Sequence, residues 1–267
     1  MKRLSGVITF IFVALASLAQ ENGVPMHQQT ETETKTLAVL WQQESVEYRA
    51  LCYQAFNLAT WRINQIPEND FRTDKLALIT DLDETILDNS YSDAQLIKDR
   101  KEHTPASWKT WTDQSAATGV PGAVEFLQFA KQKGMAIFYI SNRDSASLPN
   151  TILNLKKLNL PDADTAHVLL LINKHSSKEE RRNKVESGYK VIMLLGDNLN
   201  DFAQAFEKKN MVDRFNETDK IKSEWGNKFI VLPNSTYGEW GNALYNYQKN
   251  LTPAQKSEMR TQLLKGF

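Results

Sequence analysis

Carboxylates and polar side chains follow three short apolar segments of this chain. They are Asp81 and Asp83 after residues 76–79, Ser141 and Asn142 after residues 135–140, and Asp197 and Asp201 after residues 191–195. Carboxylates that are brought together repel one another, and each is partly protonated unless a cation neutralises the group. Mg²⁺ commonly binds a few carboxylates together with waters and the oxygens of a substrate phosphate. These residues therefore predict a Mg²⁺ site that acts on a phosphate group.

The same residues could carry out the transfer of a phosphoryl group. Asp81 is placed as a nucleophile that forms an aspartyl-phosphate. Asp83, two residues further on, can protonate the leaving oxygen and later take a proton from water. Ser141, Asn142 and a lysine would bind the oxygens of the transferring group, for which positioning and charge stabilisation matter most. The cation would offset the phosphate charge as the carboxylate approaches.

The choice of the phosphate-binding lysine depends on its position in the chain. Lys178 opens the helix that precedes the fourth apolar segment, so we favour it over Lys174. Arg143 is interpreted either as a surface ion pair or as a contact of the phosphate or substrate. The only cysteine, Cys52, lies in a helical stretch and is interpreted as a small buried apolar residue. The four histidines lack ligand spacing, which argues against a zinc site.

Five short apolar segments must position these groups. They are Leu76–Ile79, Met135–Ile140, Val168–Ile172, Val191–Leu195 and Phe229–Leu232. Near-continuous apolar strands that alternate with helical stretches indicate a parallel sheet covered by helices on both faces. Because ligands bind beyond the carboxyl ends of such strands, the site is expected at that edge of an α/β fold.

The remaining segments suggest a domain organisation around this sheet. Residues 20–73 are a polar lead-in followed by a helical pattern from about Thr36 to Asn64. Residues 74–235 form the core, and the long connection after the first strand predicts a small helical cap at about residues 92–118. Residues 236–267 are expected to form two helices packed on the core, one of them beginning at Thr252-Pro253.

The first residues have the features of a signal peptide, predicted over residues 1–19. Lys2 and Arg3 precede an apolar run from about residue 4 to residue 18, and small residues stand before Gln20. A retained N-terminal anchor is the alternative interpretation. The run is short for a membrane span, which needs about 20 apolar residues. No cysteine lies near the cleavage point, so we expect an exported protein, periplasmic or extracellular, without a lipid anchor or a stable membrane span.

The charge of the chain limits the classes of partner. Its 32 basic and 32 acidic residues give a formal net charge of zero, and no Lys/Arg-rich run is present. A basic field that would recruit a nucleic-acid polymer nonspecifically is therefore absent. A small phosphorylated substrate is compatible with this composition, because local geometry rather than net charge would bind it.

Two segments resemble a known family. Residues 81–90 read Asp-Leu-Asp-Glu-Thr-Ile-Leu-Asp-Asn-Ser, and residues 192–202 read Ile-Met-Leu-Leu-Gly-Asp-Asn-Leu-Asn-Asp-Phe. Together with Ser141 and a later lysine, this order resembles the haloacid dehalogenase (HAD) superfamily. More narrowly, the two segments, with residues 47–51 and 233–238, are similar to the bacterial class C acid phosphatases, the lipoprotein e(P4) family of 5′-nucleotidases. The chain departs from the family at Thr80, which replaces an aliphatic residue, at Tyr91, which comes one position early, and in lacking the lipobox cysteine.

The resemblance implies a Rossmann-like three-layer core, one Mg²⁺ ion and hydrolysis of phosphomonoesters at mildly acidic pH, and it is compatible with a homodimer. It implies that Asp81 is nucleophile and metal ligand, that Asp83 is the acid/base with its backbone carbonyl on the metal, that Asp197 binds the metal and that Asp201 supports the metal shell. Family members often accept nucleoside monophosphates, nicotinamide mononucleotide or aryl phosphates, with the ring stacked on aromatic side chains. Candidates for stacking are Trp108, Trp111, Tyr237 and Trp240.

Two other functions compete with a phosphomonoesterase. One is a secreted protein that keeps the fold but has lost catalysis, and that captures a nucleotide or haem. The presence of Asp81, Asp83, Asp197 and Asp201 argues against that loss. The other is a different reaction on the same scaffold, such as phosphoryl transfer between sugars, which the sequence of the cap would decide.

Overall fold

A computed structural model describes residues 31–171 and 176–267 of the 267-residue chain. The predicted signal peptide, the first part of the polar lead-in and Lys174 lie outside the described residues. The signal peptide and the competing lysine therefore stay predictions from sequence.

A five-stranded parallel sheet forms the centre of the molecule, in the order β5-β4-β1-β6-β7. A separate antiparallel pair joins β2 to β3. The strands are β1 (Leu76–Thr80), β2 (Leu87–Asp88), β3 (Thr118–Gly119), β4 (Ala136–Ile140), β5 (Val168–Leu169), β6 (Lys190–Gly196) and β7 (Phe229–Val231). All five strands of the sheet coincide with the apolar segments, which confirms the predicted parallel α/β fold.

Helices cover both faces of this sheet. In chain order they are α1 (Thr36–Glu44), α2 (Val46–Asn64), α3 (Asp70–Thr73), α4 (Ser90–Asp99), α5 (Pro105–Asp113), α6 (Ala123–Gln132), α7 (Leu148–Lys157), α8 (Glu179–Glu186), α9 (Met211–Lys220), α10 (Glu239–Leu244) and α11 (Pro253–Leu263). Among the described residues, none of the helices has the length and apolar character needed to cross a membrane.

The two faces of β1 belong to two different apolar cores. Leu76 and Leu78 join a large core with residues of α2, α6 and α7. Ala77 and Ile79, which point the other way, join a smaller core that includes Val185 of α8. Successive side chains of a strand point to opposite faces, so β1 is buried on both sides. This arrangement is the three-layer core implied by the sequence.

The N-terminal helix differs from the sequence prediction, because it is broken at Ser45. Ser45 has an extended backbone, with φ −80° and ψ 126°, and separates α1 from α2. Its hydroxyl oxygen accepts a hydrogen bond from the backbone N–H of Tyr48 at 3.1 Å. A serine in this conformation is a favourable N-cap, so it starts a second helix although the apolar pattern continues through it.

The connection between β1 and α6 contains the helical insert that was predicted as a cap. It consists of α4 and α5, and the short β2–β3 pair lies where the insert leaves and rejoins the core. α5 begins at a capping box in which Thr104 and Ser107 exchange side-chain and backbone hydrogen bonds. Pro105 follows the cap at the first helical position, which fits its fixed φ angle.

Candidate active site

The residues predicted from the strand ends lie together at the carboxyl edge of the sheet. Asp81 follows β1, Ser141 follows β4 and Asp197 follows β6, and these three strands are neighbours in the sheet. Their side chains line a cavity of about 500 Å³, whose wall also contains Lys178 and Asp201. The strand order and the start of α8 therefore place four separate parts of the sequence around one opening.

Three carboxylates of this wall could hold a metal ion. Asp81, Asp197 and Asp201 each offer an oxygen, and these oxygens lie within 4.8 Å of one another. Burial raises the pKa of Asp81 despite the neighbouring Lys178, and Asp201 and Asp83 raise that pKa further. Removal from water, together with Asp201 and Asp81, raises the pKa of Asp197 well above its usual value. A hard divalent cation that binds oxygen ligands relieves this repulsion, so the donor set fits Mg²⁺.

Asp197 is held by two polar side chains that were not identified from the sequence. Asn234, which follows β7, donates from its amide nitrogen to Asp197 Oδ2 at 2.7 Å. Thr85, in the turn after β1, donates from its hydroxyl to Oδ1 at 3.2 Å. Asn234 stands within the stretch 233–238 at the carboxyl end of a strand, so the strand-end rule could have identified it.

Lys178 lies between two of these carboxylates. Its ammonium donates to Asp81 Oδ1 and lies 2.6 Å from Asp201 Oδ1. Burial acts to lower the pKa of Lys178, but Asp201 and Asp81 outweigh that effect and raise it, so the ammonium stays charged. The residue occupies the N-cap position of α8, at the start of the helix where the sequence placed it. Lys178 therefore brings a fixed positive charge to the nucleophile candidate.

Gly196 allows Asp201 to approach the end of β6. A Cβ atom at Gly196 would lie 2.6 Å from Asp201 Oδ2 and 2.6 Å from its Cβ, closer than such atoms can approach. Asp201 Oδ2 also accepts the backbone N–H of Asn198 at 3.0 Å. The glycine of the Gly-Asp segment is thus required by packing against a carboxylate of the cluster.

The carboxylate of Asp83 is held by a different set of partners. Arg143 donates to Oδ1 from Nη2 at 2.7 Å and from Nε at 3.0 Å. Asn89 donates to the same oxygen at 2.9 Å, and Ser141 donates from Oγ to Oδ2 at 3.3 Å. The side chain of Arg143 is 2% exposed, so the interpretation of this residue as a surface ion pair is wrong. Because these partners occupy the carboxylate of Asp83, its predicted contribution to a metal shell is its backbone carbonyl alone.

Asn89 connects this pair to the helical insert. Its side-chain oxygen accepts the indole N–H of Trp111 at 2.8 Å, and its backbone N–H donates to Glu84 Oε1 at 2.9 Å. Glu84 has a left-handed backbone, with φ 58°, which is strained for this residue type. Its other carboxylate oxygen accepts the hydroxyl of Tyr237. Hydrogen bonds from Asn89 and from Tyr237 to Glu84 therefore fix the turn that follows Asp83.

Asn142, predicted to bind phosphate, is tied to the loop before α8. Its amide nitrogen donates to the carbonyl of Ser176 at 2.8 Å, and its side-chain oxygen accepts from Arg181 Nη2 at 2.6 Å. Arg181 also donates to the backbone carbonyl of Ser141 at 2.6 Å. Ser141 and Asn142 both line the cavity. Arg181 contacts both of them and so fixes the turn that carries them.

The four aromatic candidates occupy different places. Trp108 and Tyr237 line the cavity. Trp111 packs against the large core and bonds Asn89, and it does not belong to the described cavity wall. Trp240 also lies outside that wall and donates to the backbone carbonyl of Tyr237 at 3.2 Å. The structure therefore leaves Trp108 and Tyr237 as the side chains that a bound ring could meet.

Comparison with known proteins agrees with the motifs. The family model described as HAD superfamily, subfamily IIIB (Acid phosphatase) matches residues 9–240. A class C acid phosphatase from Bacillus anthracis with tungstate bound is 36% identical, with a TM-score of 0.83, over 89% of this chain and 99% of that one. Another structure of the class C acid phosphatase from Bacillus anthracis is 37% identical, with a TM-score of 0.83, over 88% of this chain and 98% of that one.

These matches cover the sheet, the insert and the strand-end residues together, so they concern the whole arrangement rather than one motif. The chain belongs to the acid phosphatases of HAD subfamily IIIB.

Proposed function

We propose that this acid phosphatase is an exported, Mg²⁺-dependent phosphomonoesterase with Asp81 as its nucleophile. The single observation that carries the proposal is the cluster of Asp81, Asp197 and Asp201, whose ligand oxygens lie within 4.8 Å of one another. Lys178 adds an ammonium that contacts two of these three carboxylates. A cluster of this charge at one sheet edge suits a phosphate group and a divalent cation.

In the first half of the proposed reaction, a carboxylate oxygen of Asp81 attacks the phosphorus atom. A P–O bond to Asp81 forms while the P–O bond to the ester oxygen breaks, and Asp83, which enters the step protonated, donates its proton to that leaving oxygen. Ser141, Asn142 and Lys178 are the groups proposed to bind the oxygens of the transferring phosphoryl group. Mg²⁺ held by Asp81, Asp197, Asp201 and the carbonyl of Asp83 would supply the positive charge that offsets the phosphate.

In the second half, Asp83 takes a proton from water as the water oxygen bonds to phosphorus. The P–O bond to Asp81 then breaks, inorganic phosphate leaves, Asp81 is again a carboxylate and Asp83 is again protonated. Arg143 and Asn89 keep the carboxyl group of Asp83 oriented in both halves, because both donate a hydrogen bond to its Oδ1 atom.

We propose nucleoside monophosphates and aryl phosphates as substrates, with the ring stacked on Trp108 or Tyr237. Both side chains line the same cavity as the carboxylates, which supports recognition of the ring and of the phosphate by one substrate. Stacking of a base on an aromatic side chain contributes about 1–3 kcal/mol. Trp108→Ala and Tyr237→Ala should each raise KM for a nucleotide more than for a small alkyl phosphate, and equal effects on both substrates would contradict the stacking.

Export is proposed from the N-terminal sequence, with cleavage before Gln20. N-terminal sequencing and mass measurement of the protein recovered outside the cytoplasm would test it, and an intact Met1 in that fraction would contradict cleavage. A homodimer is compatible with the family, and sedimentation of the purified protein would decide between one and two copies.

The central test is phosphate release by the purified protein from an aryl phosphate and a panel of nucleotides, with and without Mg²⁺. We expect metal-dependent turnover that falls by at least about 10³-fold in Asp81→Asn. Equal rates for the wild type and Asp81→Asn would overturn the proposal. Binding of a nucleotide without turnover would instead favour the catalytically silent binding protein.

A further inference from the structure

A lysine of the N-terminal segment reaches the mouth of the cavity from outside the catalytic core. Lys35 ends a short 3-10 helix, Glu33–Lys35, that directly precedes α1. Its side chain lines the same cavity as Asp81, although the two residues lie on separate elements far apart in sequence. The ammonium of Lys35 stands 5.7 Å from the ring centroid of Tyr237.

Among the described residues, Lys35 forms no close ion pair, although the carboxylate of Asp93 interacts with its charge at longer range. Within ranges 31–171 and 176–267, no carboxylate approaches its ammonium to the 4.0 Å of an ion pair, and its recorded contact is the Tyr237 ring. The residue is half-buried. Partial withdrawal of a charge from water without a close ion-pair partner is unfavourable, so a ligand that places a negative charge next to the ammonium would stabilise this arrangement.

The backbone that carries Lys35 is fixed from two sides, so the position of its side chain is defined by the fold. Glu31 binds Arg260 at 3.0 Å and Lys256 at 3.5 Å, both of which belong to α11. On the other side, the backbone N–H of Glu31 and the hydroxyl of Thr32 donate to Glu102 at 2.7 Å and 3.2 Å. These contacts anchor the residues just before Lys35 to the C-terminal helix and to the insert.

Other charged side chains share this cavity wall with Lys35, among them Arg143 and Lys208. Asp93 of α4 is buried, lies near Lys35 and His103, and lines the cavity with both. His103 packs beside Trp108, with ring centroids 6.1 Å apart. Tyr237 therefore has Lys35 as a basic neighbour, whereas Trp108 has both His103 and Arg143, whose guanidinium carbon lies 5.6 Å from the ring centroid.

We propose that Lys35 forms a second anion subsite, which binds a carboxylate or a further phosphate on the organic part of the substrate. A ring held against Tyr237 comes within reach of the ammonium, and the flexible stem of lysine lets it meet a substituent on that ring. This proposal rests on the proposed phosphomonoesterase activity. It names the preferred substrate class as phosphomonoesters that have a planar ring and a second negative charge.

The test compares two aryl phosphates of equal shape, 4-carboxyphenyl phosphate and 4-carbamoylphenyl phosphate, in the wild type and in Lys35→Met. We expect the variant to lower kcat/KM about tenfold for the carboxylate and to leave the amide nearly unchanged, because a charged hydrogen bond is lost only in the first case. Lys35→Arg should restore the preference. A second arm with adenosine 5′-monophosphate and adenosine 3′,5′-bisphosphate distinguishes a phosphate from a carboxylate as the preferred anion.

Lys98→Met is the matched control, because Lys98 is exposed on α4 outside the cavity and the variant loses the same charge. Lys98→Met should leave kcat/KM unchanged for both compounds. Equal losses on the carboxylate and the amide in Lys35→Met would overturn the subsite and assign Lys35 to the support of Tyr237. Failure of the phosphomonoesterase proposal itself is distinguishable, since the wild type would then hydrolyse neither compound.

Discussion

Two nitrogen atoms of Arg143 bind the carboxylate of Asp83, with Nη2 2.7 Å and Nε 3.0 Å from Oδ1. The guanidinium is 2% exposed and the carboxylate 16% exposed, so water screens this pair only weakly. A two-point contact fixes orientation as well as distance. The proposed acid/base is therefore held by a buried cation that follows the neighbouring strand.

Arg143→Ala should destabilise the fold because it leaves the Asp83 carboxylate without its main counter-ion. Removal of one partner of a buried pair costs about 3–5 kcal/mol. The free energy of unfolding in urea would measure the loss. Arg72→Ala is the matched control, since Arg72 is exposed and its truncation should stay within about 0.5 kcal/mol. A similar small effect of both variants would contradict the structural role of the pair.

Mg²⁺ should stabilise the protein more at pH 8 than at pH 5. Burial raises the pKa of Asp81 and, with Asp201, that of Asp197, so without metal their contribution to stability is full below the unfolded pKa of about 3.9. That contribution is lost as the pH rises through the folded pKa values, because the folded state then holds ionised carboxylates close together. Bound Mg²⁺ removes this penalty, and protons compete with it at low pH.

Urea unfolding at both pH values, with and without saturating Mg²⁺, checks this linkage. We expect Mg²⁺ to increase the free energy of unfolding at pH 8 by at least about 1.4 kcal/mol more than at pH 5. This difference is the free energy that corresponds to a shift of one pKa unit in one group. Asp197→Asn should reduce the difference, because it removes one carboxylate of the cluster. An equal gain at both pH values would argue against metal binding by these groups.

Gly196→Ala should weaken Mg²⁺ binding by displacing Asp201. The added methyl group would lie 2.6 Å from Oδ2 of that residue, and the carboxylate would have to move. Changes that reorient a metal shell typically cost about tenfold or more in affinity. Isothermal titration with Mg²⁺ measures the effect, and Gly188→Ala is the control, since a methyl group there meets nothing within 4 Å. Equal affinities in both variants would contradict the packing argument.

Cys52 should resist alkylation in the folded protein. It is fully buried in the core, and burial raises the pKa of its thiol to about 11. Only the thiolate reacts, so at pH 8 the native protein should incorporate almost no iodoacetamide, whereas the protein in denaturant should incorporate one equivalent. Mass spectrometry gives the count. Rapid labelling of the native protein would contradict the burial.

The sheet was predictable because its strands are short, apolar and separated by helical stretches. Every strand of the parallel sheet lies within about a residue of an apolar segment, apart from β5, which is shorter than predicted. The break at Ser45 was missed because an N-cap serine inside a continuing apolar pattern resembles an ordinary helical residue. The β2–β3 pair was missed because two residues on each strand leave too little pattern to detect.

Within the site, too, some residues could be predicted from the sequence and others could not. Asp81, Ser141, Lys178, Asp197 and Asp201 were predictable because each stands at a strand end or a helix start in the sequence. The buried pairing of Arg143 with Asp83 depends on how far a long side chain reaches across two strands, which spacing does not reveal. Lys35 has no motif around it, and only the tertiary fold brings it to the cavity.

The contact between Glu31 and Arg260 joins residues 229 positions apart in the chain. Contacts between such distant residues close the largest loops and depend on most of the intervening fold. The contact thus joins the beginning of the described chain to α11, whereas Asp81, Lys178 and Asp201 are positioned by the sheet and α8. Proteolytic removal of the C-terminal helix is therefore expected to weaken the proposed selection of the ring substituent, while Asp81, Lys178 and Asp201 stay in place.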